Sequence, residues 1–377
     1  MDVSATDVNP FPDAEPEGFL AAIRRGPFSF RPAARAGVAY DSNIFISHSN
    51  AVSDEILSLA PTLRVKSDRF DDAGGAVIDL GYTPEFIAFV HNSDNDSVDH
   101  HFAGGVGWEL ARLDCTVEHH YDATSGAVVD AGRRLRQGIN HTEVEAAYRV
   151  GEKLSLGTSL HRVLTDNEGA ISSSEWRGDL RANYDFTPKL TLGLGARAGT
   201  LDVASQGAQV FEQALTLARY TVTGRVRLDA ETGVEIRQFG SARSDLANWV
   251  FRVAMDYLVS PKTAVTLGAS RATYSSAVLA GQDYNLTGVT LELNKELAAK
   301  LNARLNLGYN FVDYVPTTSA VTATREDSFY LLRAALLYHP AVHWEASAFV
   351  QFRRNDSNSV LNSFDNTSTG VSIAYTY

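Results

Sequence analysis

Residues 184–197 read "YDFTPKLTLGLGAR": two aromatics, Tyr184 and Phe186, then a tight turn around Pro188, then an alternating run. From the turn onward Leu190, Leu192, Leu194 and Ala196 fall on one face, and Thr191, Gly193, Gly195 and Arg197 on the other. A period of two is a β-strand with a single apolar side. The pattern recurs as "YRVGEKL" from Tyr148, "YTVTGRV" from Tyr220, "YLVSPKT" from Tyr257 and "KELAAKL" from Lys295, so the five starts lie 36, 36, 37 and 38 residues apart. Each copy carries Gly, Pro or Ala in the turn and a basic residue (Lys153, Lys189, Arg225, Lys262, Lys300). These are short hairpin turns at a fixed interval.

The strands between them are two-faced. After the third turn Val226, Leu228, Ala230, Val234 and Ile236 face one way, and Arg227, Asp229, Glu231, Glu235 and Arg237 the other. Their far ends run into polar stretches such as "VLTDNEGAISSSEW", "LDVASQGAQVFEQ" and "VDYVPTTSAVTATREDSF", which read as long loops. Extending the register adds short turns near Arg69, Ala111 and Tyr338, for eight in all. Eight turns join nine hairpins, which gives about 18 antiparallel strands (range 16–18) from Phe28 to Tyr377. Residues 1–27 form a separate lead-in, in which "EGFLAAIRRG" (17–26) has the spacing of a short helix as an alternative to a disordered segment.

Composition limits where such a sheet can live. Hydrophobic residues make up 44 % of 377, yet no apolar run approaches the roughly 20 residues of a membrane helix. Strands that are apolar on one side and charged on the other, repeated about 18 times, leave half their apolar surface without a partner in water. A closed up-and-down barrel in lipid, apolar face outward, satisfies every backbone group and both faces. At about 4.8 Å per strand and a tilt of about 40°, 18 strands give a diameter near 35 Å, too wide for side chains to fill. The interior needs water or a plug. Tyr148, Tyr184, Phe186, Tyr220, Tyr257 and Tyr338 all precede short turns and are expected to form a periplasmic aromatic girdle.

By parity the lumen-lining charges are Arg149, Arg181, Asp185, Arg197, Arg227, Asp229 and Glu231, continued by Glu235, Arg237, Arg252, Asp256, Glu292, Arg304 and Arg353. Such groups pair across strands and stiffen the wall, and they also create a hydrated path for polar solutes. The net charge of −12 argues against a nucleic-acid partner; the one basic cluster, Arg133, Arg134 and Arg136, reads as a loop. The single Cys115 excludes an intrachain disulfide and a cysteine zinc cluster. No signal peptide is read at the N-terminus.

The first strand opens with "AGVAYDSNIF", carrying Tyr40, Asp41, Ser42, Asn43 and Ile44. With the repeated turns, this motif resembles the porin-2-like outer-membrane β-barrel family often associated with exopolysaccharide export. The resemblance runs from about Phe28 to the end. It implies a Gram-negative outer-membrane barrel, a conduit for a secreted polysaccharide, and periplasmic export components as partners. It brings no catalytic residues. Common terminal assembly signals of such barrels place Gly five residues before the last aromatic; here that position is Ser372, while Ile373, Tyr375 and Tyr377 keep the alternation.

Other constellations are weaker. His100, His101, His119, His120, His141 and His161 crowd one third of the chain, and a loop centred near Asp130 would set His119 or His120 opposite His141. No carboxylate or thiol completes a defined ligand spacing, so no metal is assigned. "SDNDSVD" (93–99) has acidic spacing without the Gly and distal Glu of a calcium loop. No Ser lies in a strained nucleophile turn, so no enzyme and no cofactor is assigned.

The expectation is therefore an outer-membrane channel with both termini periplasmic and a polar lumen for passive passage of hydrophilic solutes. Its partners are outer-membrane lipid, lipopolysaccharide and the barrel assembly machinery. The alternatives are a plugged structural or adhesive barrel and a barrel enzyme acting on lipid. The chain ends on Tyr377 where a ninth turn would begin, so its last strand should close the barrel against the first. Deleting 375–377 should then abolish assembly, while an equal deletion at Thr317 should be tolerated.

Overall fold

A computed structural model describes residues 23–67, 75–204, 207–240, 245–318, 321 and 324–377. The strands are β1 (Ile23–Arg25), β2 (Phe28–Asp41), β3 (Asp54–Ser67), β4 (Val77–Phe89), β5 (Ser97–Glu109) and β6 (Leu113–Val128). They continue with β7 (Arg133–Arg149), β8 (Leu154–Asn167), β9 (Ser173–Thr187), β10 (Leu190–Val203), β11 (Gly207–Thr223), β12 (Val226–Phe239) and β13 (Leu246–Ser260). The last are β14 (Thr263–Ser275), β15 (Gln282–Ala298), β16 (Leu301–Pro316), β17 (Glu326–Ala341), β18 (Trp344–Ser357) and β19 (Phe364–Thr376).

From β2 onward each strand pairs antiparallel with the next, and β19 returns to β2 with Val371 opposite Val38 and Thr376 opposite Ala33. The result is a closed barrel of 18 antiparallel strands, the arrangement the turns predict. β1 stands outside the ring. It turns back through Gly26, whose φ of 62° suits glycine, and pairs Ile23 with Phe30, covering the stretch of β2 that β19 does not reach. The helical spacing read over 17–26 therefore fails at its C-terminal end, where Ile23–Arg25 is a strand. Its first part lies outside the described residues, as does the turn at Arg69.

Two-residue connections recur at one end, at residues 188–189, 224–225, 261–262 and 299–300. The described chain enters and leaves the barrel at that same end. At the other end the polar stretches prove shorter as loops than expected. The strands run on to Asn167, Val203 and Pro316 and resume at Ser173, Gly207 and Glu326, because the outer parts of the polar stretches continue the strands. The ring strands run 13 to 17 residues, beyond the ~9–11 that a tilted span requires. Polarity there marks wall rising past the apolar band.

The two faces separate as parity dictates. Leu180, Leu194, Val234 and Trp249 stand 63 %, 69 %, 51 % and 61 % exposed on the outside. Contacts that skip strands identify the concave side: Arg35 of β2 reaches Glu85 of β4 at 3.4 Å, and Arg197 of β10 reaches Glu231 of β12 at 3.3 Å.

Candidate functional site

The inner wall changes character with height. Along β12 the inward residues pass from exposed Arg227 through half-buried Asp229 and Glu231 to buried Glu235 and Arg237. The short-turn half of the lumen is open to water, and the other half is filled.

Three segments fill it. The stretch after β2 folds inward: Asp41 accepts the Asn43 backbone N–H at 2.8 Å, and the Asn43 side chain donates to Ser47 O and Asp365 O at 2.9 and 3.1 Å. This plants Ile44 among Ala39, Ile56, Phe89 and Phe349, and Ile46 among Ala127, Val129, Phe329 and Phe364. The "YDSNIF" motif is thus the root of an inward loop. Second, the tip joining β6 and β7 is buried at four successive residues, Ala127 to Asp130, which a strand with one wet face cannot show. Third, β15 is buried on both faces from Gln282 to Leu286, where β14 has run past its last β13 partner at Arg271 and the β14–β15 hairpin tip turns inward while β15 stays paired with β16.

These segments meet. The Asp130 carboxylate accepts from Ser276 Oγ at 3.1 Å, the Ala277 N–H at 2.7 Å and the Tyr314 hydroxyl at 2.7 Å. Arg325 donates to the Asp130 carbonyl at 2.8 Å and lies 4.7 Å over the Tyr314 ring. The β6–β7 tip and the β14–β15 hairpin stand eight strands apart in a ring of 18, so their contact crosses the lumen almost diametrically. We term it the crossbar.

Beside it, an ionic belt runs over β8 to β12. Arg197 donates to Asp179 at 2.5 Å and Gln213 at 2.9 Å, Gln213 donates to Glu235 at 2.5 Å, and Glu235 accepts from Arg237 at 3.0 Å. Arg237 also reaches Asp283 of the inward hairpin at 3.3 Å. Arg181 lies 3.8 Å from Glu231 and keeps 38 % of its side chain exposed. On β6 to β8, His120 pairs with His141 across the strands, and rings of His120, His141 and His161 stack at 6.3 and 5.7 Å.

All fourteen charges assigned to the lumen lie on this inner face. Arg181, Arg197, Glu231, Glu235 and Arg237 join the belt, whereas Arg353 sits apart, ion-paired with Asp41 at 3.5 Å. Arg149, Asp185, Arg227, Asp229, Arg252, Asp256, Glu292 and Arg304 line the short-turn half. The six aromatics read as a girdle are exposed on the outer face near that end, and Ile373 and Tyr377 are exposed on the outside of β19.

Thr317 is no spare loop: it is 4 % exposed and its N–H donates to Gly281 O at 2.7 Å. The histidines do acquire a carboxylate, since Glu143 shares their face. In 93–99, Asp96 accepts the Phe89 N–H at 2.7 Å and Asp99 the Ser125 N–H at 3.2 Å, separate structural duties. Arg133, Arg134 and Arg136, read as a loop, instead open strand β7, and Arg134 lies 4.8 Å over the Phe89 ring.

Parity could have added Arg177 and Asp179, which share a face with Arg181 at every second residue. A second outer aromatic row was also legible: Trp176 and Tyr184, Trp249 and Tyr257, Tyr330 and Tyr338 are each eight apart on one strand. Eight residues on a tilted strand rise about 20 Å, close to the apolar height of a barrel in lipid. The crossbar follows from no period in the sequence.

No family model matches the chain, and no curated protein matches it. Solved structures share its fold. The outer membrane protein opdK from Pseudomonas aeruginosa aligns at TM-score 0.50 and 12 % identity over 92 % of this chain and 98 % of that one. Pseudomonas aeruginosa OccK2 (OpdF) in complex with glucuronate gives 0.52 and 13 % over 93 % and 98 %. Acinetobacter baumannii OccAB3 gives 0.51 and 9 % over 92 % and 99 %. At these identities the likeness is one of fold.

Proposed function

We propose that the protein is an outer-membrane channel that passes small hydrophilic solutes passively. The carrying observation is the radial split of one closed sheet, with Leu, Val, Trp and Tyr exposed outside and Arg, Asp, Glu and His inside. The paired aromatic rows support a bilayer setting, and an outer-membrane protein among the fold neighbours supports the compartment. With short turns on the periplasmic side, both described ends of the chain lie there.

The crossbar favours small solutes over a polymer. A polysaccharide strand would have to displace buried Asp130, Tyr314 and Ile46 together. Exposed inner arginines, among them Arg181 and Arg227, offer carboxylated solutes a charge-assisted partner. A neighbour solved with glucuronate is in keeping with this choice. Liposome swelling tests the reading: glucuronate should enter protein-loaded liposomes, and dextran should not. Equal exclusion of both would overturn it, and equal entry would restore the polysaccharide conduit.

A further inference from the structure

We propose that His141, Glu143 and His161 form a binding site for a divalent transition metal on the inner wall. The three project from adjacent strands, with Glu143 opposite His161 in the register and His141 two residues before Glu143 on the same face. His141 Nε2 lies 3.4 Å from His161 Nδ1, and that same Nδ1 lies 3.5 Å from Glu143 Oε2. All three donor atoms fall within 4.8 Å of one another. Two ligands held about 2.1 Å from a zinc ion at the tetrahedral angle are about 3.4 Å apart. The spacing is that of ligands around an ion, and it is long for a direct hydrogen bond between two rings.

The surroundings supply the orientation that such a site needs. His161 Nε2 faces Ser159 Oγ at 2.9 Å and the Asp179 carboxylate at 3.4 Å. A proton on Nε2 is then held by Ser159 Oγ with the Asp179 carboxylate beside it, which leaves the Nδ1 lone pair directed at His141 and Glu143. A carboxylate behind a ligating imidazole fixes its tautomer and ring plane in metal sites. Asp179 is 2 % exposed and His161 8 %, so this posture is locked, while Glu143 keeps 29 % exposure toward the lumen. Arg177, opposite His161 in the register, is matched by Glu175 at 3.5 Å and Asp179 at 3.4 Å.

Two imidazoles and one carboxylate suit zinc, nickel or copper, and disfavour calcium and magnesium, which take oxygen ligands. Three protein ligands leave a fourth position toward the lumen for water or for a donor atom of a passing solute. The site stands or falls apart from the channel reading, because binding is measured without a membrane.

The test titrates Co²⁺ into the full-length protein in detergent, following visible absorption, then displaces it with Zn²⁺. Folding of each variant is confirmed by heat-dependent gel mobility. Wild-type protein should take up one Co²⁺ with a tetrahedral-type spectrum, yield it to Zn²⁺ and retain it against excess Mg²⁺. His141→Ala, which lies outside the Asp179 network, should weaken binding at least 100-fold, and Ser159→Ala roughly 10-fold with unchanged stoichiometry. His91→Ala, which removes a separate grouping with Asp54 and Glu55, should change nothing. Wild-type affinity in folded His141→Ala, loss of binding in His91→Ala, or equal displacement by Mg²⁺ would each overturn the proposal.

Discussion

Asp130 shows how one residue can decide the shape of a lumen. Its carboxylate takes three donors from the opposite wall, and Ser276 and Tyr314 have no water to fall back on at 1 % and 2 % exposure. Asp130→Ala would leave these donors unsatisfied, so we predict a loss of about 3 kcal/mol in urea unfolding from detergent or lipid. The same variant should widen the conducting path, seen as a larger single-channel step than wild type. Arg181 acts by charge where Asp130 acts by contact. It is the most exposed arginine of the belt, and Arg181→Ala should shift the reversal potential in a salt gradient toward cation preference. An unchanged reversal potential would remove Arg181 from the ion path. The inner position of Arg181 was legible from parity alone. Asp130 was not, because its partners lie 146 to 184 residues away.

At the scale of the element, the hairpin is the unit that the sequence spells most clearly. Turn, basic residue and alternating run recur together, and the strand register follows from them because a one-residue slip would turn Leu190, Leu192 and Leu194 of β10 toward water. What parity misses is bending. Traced back from its short turn, β15 obeys its alternation to Gly288 and then buries both faces from Leu286 to Gln282, where it stays paired with β14 and β16 while their hairpin tip joins the crossbar. Close approach is legible only in three dimensions too. A Cβ on Gly233 would collide with the Ala214 carbonyl oxygen of β11, so Gly233→Ala should lower stability by about 2 kcal/mol in the same unfolding assay. β19 presents Val371, Ile373, Tyr375 and Tyr377 outward and closes on β2. Deleting 375–377 should abolish heat-modifiable, membrane-integrated protein in cells. A fair control is Leu361→Asn, since Leu361 is 80 % exposed, and it should assemble normally.

The whole molecule is a closed wall with two solvents. Lipid on the outside and water on the inside explain why 44 % hydrophobic residues coexist with a formal charge of −12 and no apolar helix of membrane length among the described residues. Filling is asymmetric, because the wall reaches farther than lipid demands at one end and spends that height on the three inward segments. Whether such a barrel conducts depends on space beside the crossbar, so planar-bilayer recording of the folded wild-type protein tests the central claim most directly. The account predicts steady, ohmic steps that enlarge in Asp130→Ala. Folded, membrane-inserted protein that gives no steps, with Asp130→Ala equally silent, would contradict it.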